Sequence, residues 1–126
     1  MGKYDDADIL EQRAAEDLRA AETLLEKDDG LLEHIGFHLQ QFVEKKMKAE
    51  LSRRRVNYPW THDLGAILKL FPHGNITEDE KILLYILSRF AQESRYIDYF
   101  APPPDVRQML DRANKFAEII GTLWES

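Results

Sequence analysis

Cysteine is absent from the 126 residues, which excludes disulfide staples, thiolate nucleophiles and cysteine-ligated zinc and leaves the core to hold by packing alone. No apolar run approaches the length needed to span a bilayer. The opening residues, Met-Gly-Lys-Tyr-Asp-Asp, lack the apolar stretch of a secretory signal, and Asp6 stands where a myristoylation signal has serine or threonine. A cytoplasmic protein with no membrane association is expected. Sustained polar/apolar alternation with β-branched enrichment is missing, so strands are not expected. Also missing are a glycine-rich phosphate loop, a His-Glu-x-x-His zinc helix and a Gly-x-Ser-x-Gly elbow, and the enzyme classes built on them drop out. Five prolines are present, three of them consecutive at Pro102, Pro103 and Pro104.

What is present is enough for one core: 44% hydrophobic residues in a chain of single-domain length. Seventeen Lys and Arg against 23 Asp and Glu give a formal net charge of −6, so the whole surface does not attract polyphosphate. The charges are nonetheless segregated. Asp5, Asp6, Asp8 and Glu11 crowd the start, while Lys45, Lys46, Lys48, Arg53, Arg54 and Arg55 lie together. These cations read either as a local basic patch or as a solvated helix end that suits the macrodipole.

Apolar periodicity defines the elements. Leu10, Ala14, Leu18, Ala21 and Leu25 predict an amphipathic helix from about Asp6 to Lys27. Asp28, Asp29 and Gly30 break it, and a second helix is predicted from about Leu31 to Arg54, antiparallel to the first because the connection is short. A loop follows through Tyr58-Pro59-Trp60. Thr61 is expected to cap a short helix carrying Leu64, Ile67, Leu68, Leu70 and Phe71. Thr77-Glu78-Asp79-Glu80 reads as a capping box opening a helix to about Tyr99, with Ile82, Leu83, Ile86, Leu87 and Phe90 on its apolar face. After the prolines a last helix buries Val106, Met109, Leu110, Ala113, Phe116, Ala117 and Ile120, Gly121 fraying or ending it, and Trp124 either closes the bundle or meets another subunit. The expected fold is all-α: one domain over 5–124, an up-and-down antiparallel helical bundle of four long helices plus one short helix.

On the second helix, His38, Gln41, Lys45 and Lys48 recur at spacings of three, four and three and share one face, while Ile35, Leu39, Phe42, Val43 and Met47 point to the core. That polar ladder faces a cleft, a partner or water. His34 and His38 stand four apart, a spacing that can hold a metal, but no third ligand is tied to them by sequence and no metal site is expected. His62, at a predicted helix start, serves either to fasten the loop or to hydrogen-bond a phosphate. Arg95 and Tyr96 can pair a guanidinium with phosphate and a ring with a base, or form a surface salt bridge and a packed aromatic.

The motifs Asp17-Leu18-Arg19-Ala20-Ala21, then Phe37-His38-x-x-Gln41-x-x-Glu44-Lys45-x-x-Lys48-Ala49, then Thr61-His62-Asp63-Leu64, then Ser94-Arg95-Tyr96 together resemble the HEPN domain family, the higher eukaryotes and prokaryotes nucleotide-binding domains, over nearly the whole chain. The resemblance implies a helical bundle that forms homodimers and is often encoded beside a minimal nucleotidyltransferase. Some members bind nucleotides; others are metal-independent ribonucleases of toxin–antitoxin pairs, in which an arginine, a polar residue and, after four to six intervening residues, a histidine form the active motif. Arg95 is followed by Tyr96-Ile97-Asp98-Tyr99-Phe100-Ala101-Pro102-Pro103, with no histidine in reach. Arg55 and His62 have six residues between them but flank a different loop. Metal-free RNA cleavage needs an acceptor for the 2′-hydroxyl proton, a donor to the leaving oxygen, and cations for the phosphorane charge; Arg95 supplies only the last.

The expected function is therefore a dimeric module that binds a nucleotide or a nucleotidyltransferase partner through Gln41, Lys45, Lys48, His62, Arg95 and Tyr96, without a cofactor and without a full catalytic set. The alternative is a metal-independent ribonuclease toxin acting on RNA through His62 and Arg95. A third reading is a structural partner whose ladder pairs with a second chain.

Overall fold

The computed structural model describes residues 6–72, 76–92 and 105–125. Helix α1 spans Ala7–Lys27, α2 Leu32–Arg53, α3 Leu64–Leu68, α4 Glu78–Gln92 and α5 Val106–Ile119, and a 3-10 turn over Ile120–Trp124 extends the last. No strand occurs among the described residues, and the architecture is an all-α bundle of four long helices and one short one. No described helix is long and apolar enough to cross a membrane.

The helix boundaries follow from side-chain caps. Asp6 accepts from the amides of Asp8 (2.9 Å) and Ile9 (3.2 Å) to start α1, and Asp105 does the same for Arg107 (3.0 Å) and Gln108 (3.2 Å) at α5. The capping box is formed: the Glu80 amide donates to Thr77 Oγ1 at 3.1 Å while the Thr77 amide donates to Glu80 Oε1 at 2.9 Å. At α3 the expectation of a Thr61 cap is corrected. Asp63 is the N-cap, accepting from Gly65 N (2.9 Å) and Ala66 N (3.4 Å), and Thr61 Oγ1 instead accepts from the Asp63 amide at 3.0 Å. A carboxylate one residue before the helix reaches two free amides that a hydroxyl two residues earlier does not.

Helix α2 ends in a Schellman motif, with Val56 N donating to Leu51 O (2.9 Å) and Arg55 N to Ser52 O (3.1 Å). Arg55 takes the left-handed position, φ 58°. The chain then turns back along α2 and lies against its middle, because the Gln40 side chain donates to His62 O at 3.0 Å.

Ion pairs fix the directions. Glu11 near the start of α1 meets Lys46 and Arg53 late in α2, so α1 and α2 run antiparallel. Phe90, near the end of α4, packs on Gly36, near the start of α2, so that pair is antiparallel too. Ala14, Ala21, Ile35, Leu39, Phe42, Val43, Met47, Leu84, Leu87, Met109, Ala113 and Phe116 form the shared core. Two alanines at the α1 contact let that helix sit close to α2, and these two share the most extensive contact in the bundle.

The expected apolar face of α4 is shifted. Leu83, Leu84, Leu87, Ser88 and Phe90 are buried, whereas Ile82 is exposed along with Tyr85. Ser88 draws the helix round: its hydroxyl accepts from the Leu64 amide at 2.8 Å and donates to Leu84 O at 2.8 Å, which turns the 84–88 face onto α3. The α-helix stops at Ile119 with Ile120 as its C-cap, so it ends at Gly121 as expected, and Gly121 sits within the 3-10 turn that follows. Trp124 closes the bundle end, its ring centroid 4.7 Å from that of Phe71 and 4.1 Å from the Arg54 guanidinium carbon.

Candidate functional site

The polar groups on α2 gather around two carboxylates, Asp17 of α1 and Glu44 of α2 itself. On the α1 side, Asp17 accepts from Lys45 Nζ through Oδ2 at 2.5 Å, and its Oδ1 lies 2.9 Å from His38 Nδ1. Asp17 stands three residues after Ala14 and four before Ala21. Those two alanines face α2, so the carboxylate lies at the edge of the contact. His38 and Lys45 of the predicted ladder are therefore joined, as are two helices.

The second carboxylate is Glu44, which is buried. Its Oε2 accepts from Lys48 Nζ at 2.9 Å, and its Oε1 accepts from Gln40 Nε2 at 2.8 Å and lies 2.8 Å from His62 Nδ1. Gln41 Nε2 donates to Gln40 Oε1 at 2.7 Å, so Gln41, Lys48 and His62 belong to one connected cluster. Lys48 Nζ also reaches Thr61 O at 3.4 Å and lies 5.4 Å from the centre of the Tyr58 ring. Gln40, Glu44 and Lys48 thus hold the turn at residues 61–62 by two backbone carbonyls and an imidazole.

Burial acts to raise the Glu44 carboxyl, but hydrogen bonds from Lys48, Gln40 and His62, with the Lys48 charge, outweigh it and hold the group below its ordinary value. Glu11 follows the same pattern: burial raises it, and Lys46 and Arg53 bring it below the usual carboxylate range. The Arg53 guanidinium is raised in turn, first by its hydrogen bond to Glu11.

Above this clamp His62 is 62% exposed. With Nδ1 turned to Glu44, Nε2 has no hydrogen-bond partner among the described residues. A ring oriented in this way offers either a lone pair or, when protonated, an N–H donor at a fixed position.

The basic cluster resolves into internal pairs. Lys45 meets Asp17, Lys46 meets Glu11, Lys48 meets Glu44, Arg53 meets Glu11 and Glu50, and Arg54 Nε donates to Glu50 Oε2 at 2.7 Å. These cations form neither an open basic patch nor a fully solvated helix end: acids of α1 and α2 supply the counter-charge, and Lys48 is buried. His34 is exposed, and no cluster of three metal-ligating side chains occurs among the described residues. Arg95 and Tyr96 lie outside the described residues, as do the Ser94 motif and the proline run.

Sequence reasoning did not single out Asp17, Gln40 or Glu44 as the organising groups. One signal existed: Gly36, Gln40, Glu44, Lys48 and Ser52 form a row with a constant step of four, and all five are buried. A row of small and polar residues at that spacing marks a face lying under another segment.

Among known protein families, the HEPN domain matches residues 7–123. No curated protein and no solved structure gives a significant match. It folds as a helical bundle and matches the family over nearly its whole length: the chain belongs to the HEPN domain family.

Proposed function

We propose that this chain is a cytoplasmic, dimeric HEPN module that binds a nucleotide or a nucleotidyltransferase partner and lacks the full ribonuclease motif. The observation that carries the reading is the His62 imidazole, exposed and held at Nδ1 by a buried carboxylate. An ionised side chain taken out of water costs stability even when paired, and such groups concentrate where a side chain must be held for a ligand.

In this reading His62 Nε2 and Lys45, whose side chain is 23% exposed, meet the phosphates, and Gln41 orients them. Lys48 acts differently. Withdrawing its ammonium would leave Glu44 as an uncompensated buried charge, a loss of about 3–5 kcal/mol, so Lys48 positions the turn instead of holding phosphate. Arg95 would add a guanidinium and Tyr96 a stacking ring. Calorimetric titration with ATP tests the nucleotide half: a saturable signal that His62→Ala weakens supports it. The absence of heat at millimolar ligand, in protein that melts cooperatively, refutes it. Light scattering tests the dimer, and co-purification with a nucleotidyltransferase encoded alongside tests the partner.

A ribonuclease reading draws on the same pair. A carboxylate that fixes an imidazole by Nδ1 leaves Nε2 placed as a general base, a role worth about 10²–10⁴ in rate. It requires RNA cleavage and growth arrest that His62→Ala abolishes. Intact RNA and harmless expression exclude it.

A further inference from the structure

Two residues before His62, Trp60 is 84% exposed, the most exposed large hydrophobic side chain described. Isolated apolar side chains on a surface need no explanation, but the setting of this one does. The turn beneath it is over-determined: Pro59 restricts the backbone on one side, and on the other Gln40 and Lys48 hold the carbonyls of His62 and Thr61 while Glu44 holds the imidazole. The Tyr58 side chain is buried under Lys48. Three buried polar residues of α2 are committed to fixing a five-residue turn that ends in an exposed indole and an exposed imidazole.

We infer that this turn is the base-recognition element of the nucleotide site, with Trp60 as the platform on which the heterocycle stacks and His62 at the phosphate end. The inference rests on the nucleotide-binding reading and names a residue that the reading did not use. Residues two apart in a chain lie no more than about 7 Å from each other along the backbone, so a ligand that spans the pair needs a flat aromatic group at one end and an anion a short linker away. A mononucleotide has that shape. Fixing the turn in the unliganded protein lowers the ordering entropy that an exposed loop would lose on binding. An indole face is sequence-tolerant, so purine nucleotides of either kind bind, with the larger ring systems preferred over pyrimidines.

The chain has two tryptophans, and the second, Trp124, lies against Phe71 and Arg54. In a Trp124→Phe variant the emission reports Trp60 alone. ATP and GTP should quench it saturably; tripolyphosphate and ribose 5-phosphate, which carry no base, should not. By calorimetry Trp60→Ala should weaken ATP by about 5- to 150-fold, the range expected for one lost base–aromatic stack, while Trp60→Phe keeps most of the affinity and tripolyphosphate binds all three proteins alike. Trp60 is exposed, so its variants should melt with the wild type, and the calorimetry decides the matter even if Trp124→Phe fails to fold. ATP binding that Trp60→Ala leaves unchanged overturns the stacking role and leaves the nucleotide reading standing. No ATP binding to the wild type overturns both.

Discussion

Replacing Glu44 by glutamine changes one atom and removes one charge, and it probes the clamp that the site depends on. In the wild type the carboxylate neutralises Lys48 at 2.9 Å and accepts from Gln40 at 2.8 Å. In Glu44→Gln the Lys48 ammonium stays behind, with Thr61 O at 3.4 Å and the Tyr58 ring as its remaining partners. Breaking one side of a buried pair costs about 3–5 kcal/mol. The lower end applies here because the amide preserves the shape and some of the hydrogen bonds, and a loss of about 2–3 kcal/mol is expected. For a chain of this size that corresponds to a melting temperature lower by roughly 8–11 °C.

The acid limb carries a second signature. Because the fold holds the Glu44 carboxyl below its ordinary value, its contribution is fully present above the unfolded-state value of about 4.3. The contribution is lost as pH falls through the lower folded-state value. Urea unfolding as a function of pH should therefore show a shallower acid decline in Glu44→Gln than in the wild type, with the remaining slope including Glu11, which is shifted in the same direction. Adding Lys48→Met should recover much of the loss, since a buried pair replaced as a unit costs far less than half a pair. A single variant within about 0.5 kcal/mol of the wild type at pH 7, or an unchanged acid slope, refutes the reasoning.

Two further substitutions test the frame around the site. A Cβ on Gly36 would lie 2.6 Å from ring carbons of Phe90; overpacking of that kind costs about 1–3 kcal/mol against about 1 kcal/mol of helix propensity gained. Gly36→Ala should therefore lower the unfolding free energy by about 1 kcal/mol in chemical denaturation, and an increase would show that the ring moves aside freely. Asp63→Ala should cost about 1 kcal/mol as the lost cap of α3 and Thr61→Ala less. The reverse order in thermal melts would restore Thr61 as the cap.

Local chemistry legible in the sequence determined most of this bundle. The steps of three and four in α1, α2 and α5, the Asp28-Asp29-Gly30 break and the capping box at Thr77 each act over a few residues, and each places its element where periodicity predicts. The α4 face did not follow the same rule. Its choice of Leu84 over Ile82 depends on a serine hydroxyl meeting the Leu64 amide, a contact between residues 24 apart.

The candidate site divides along the same line. His62, Gln41, Lys45 and Lys48 could be named from residue type and spacing. Which acids answer them could not, because Asp17 lies 28 residues from Lys45 and His62 lies 18 from Glu44. Periodicity assigns each residue a face of its own helix, but whether that face is covered depends on what packs there. Only the folded chain, with the 55–63 segment lying back along α2, turns a buried row of Gln40, Glu44 and Lys48 into a clamp and leaves Trp60 and His62 outside it.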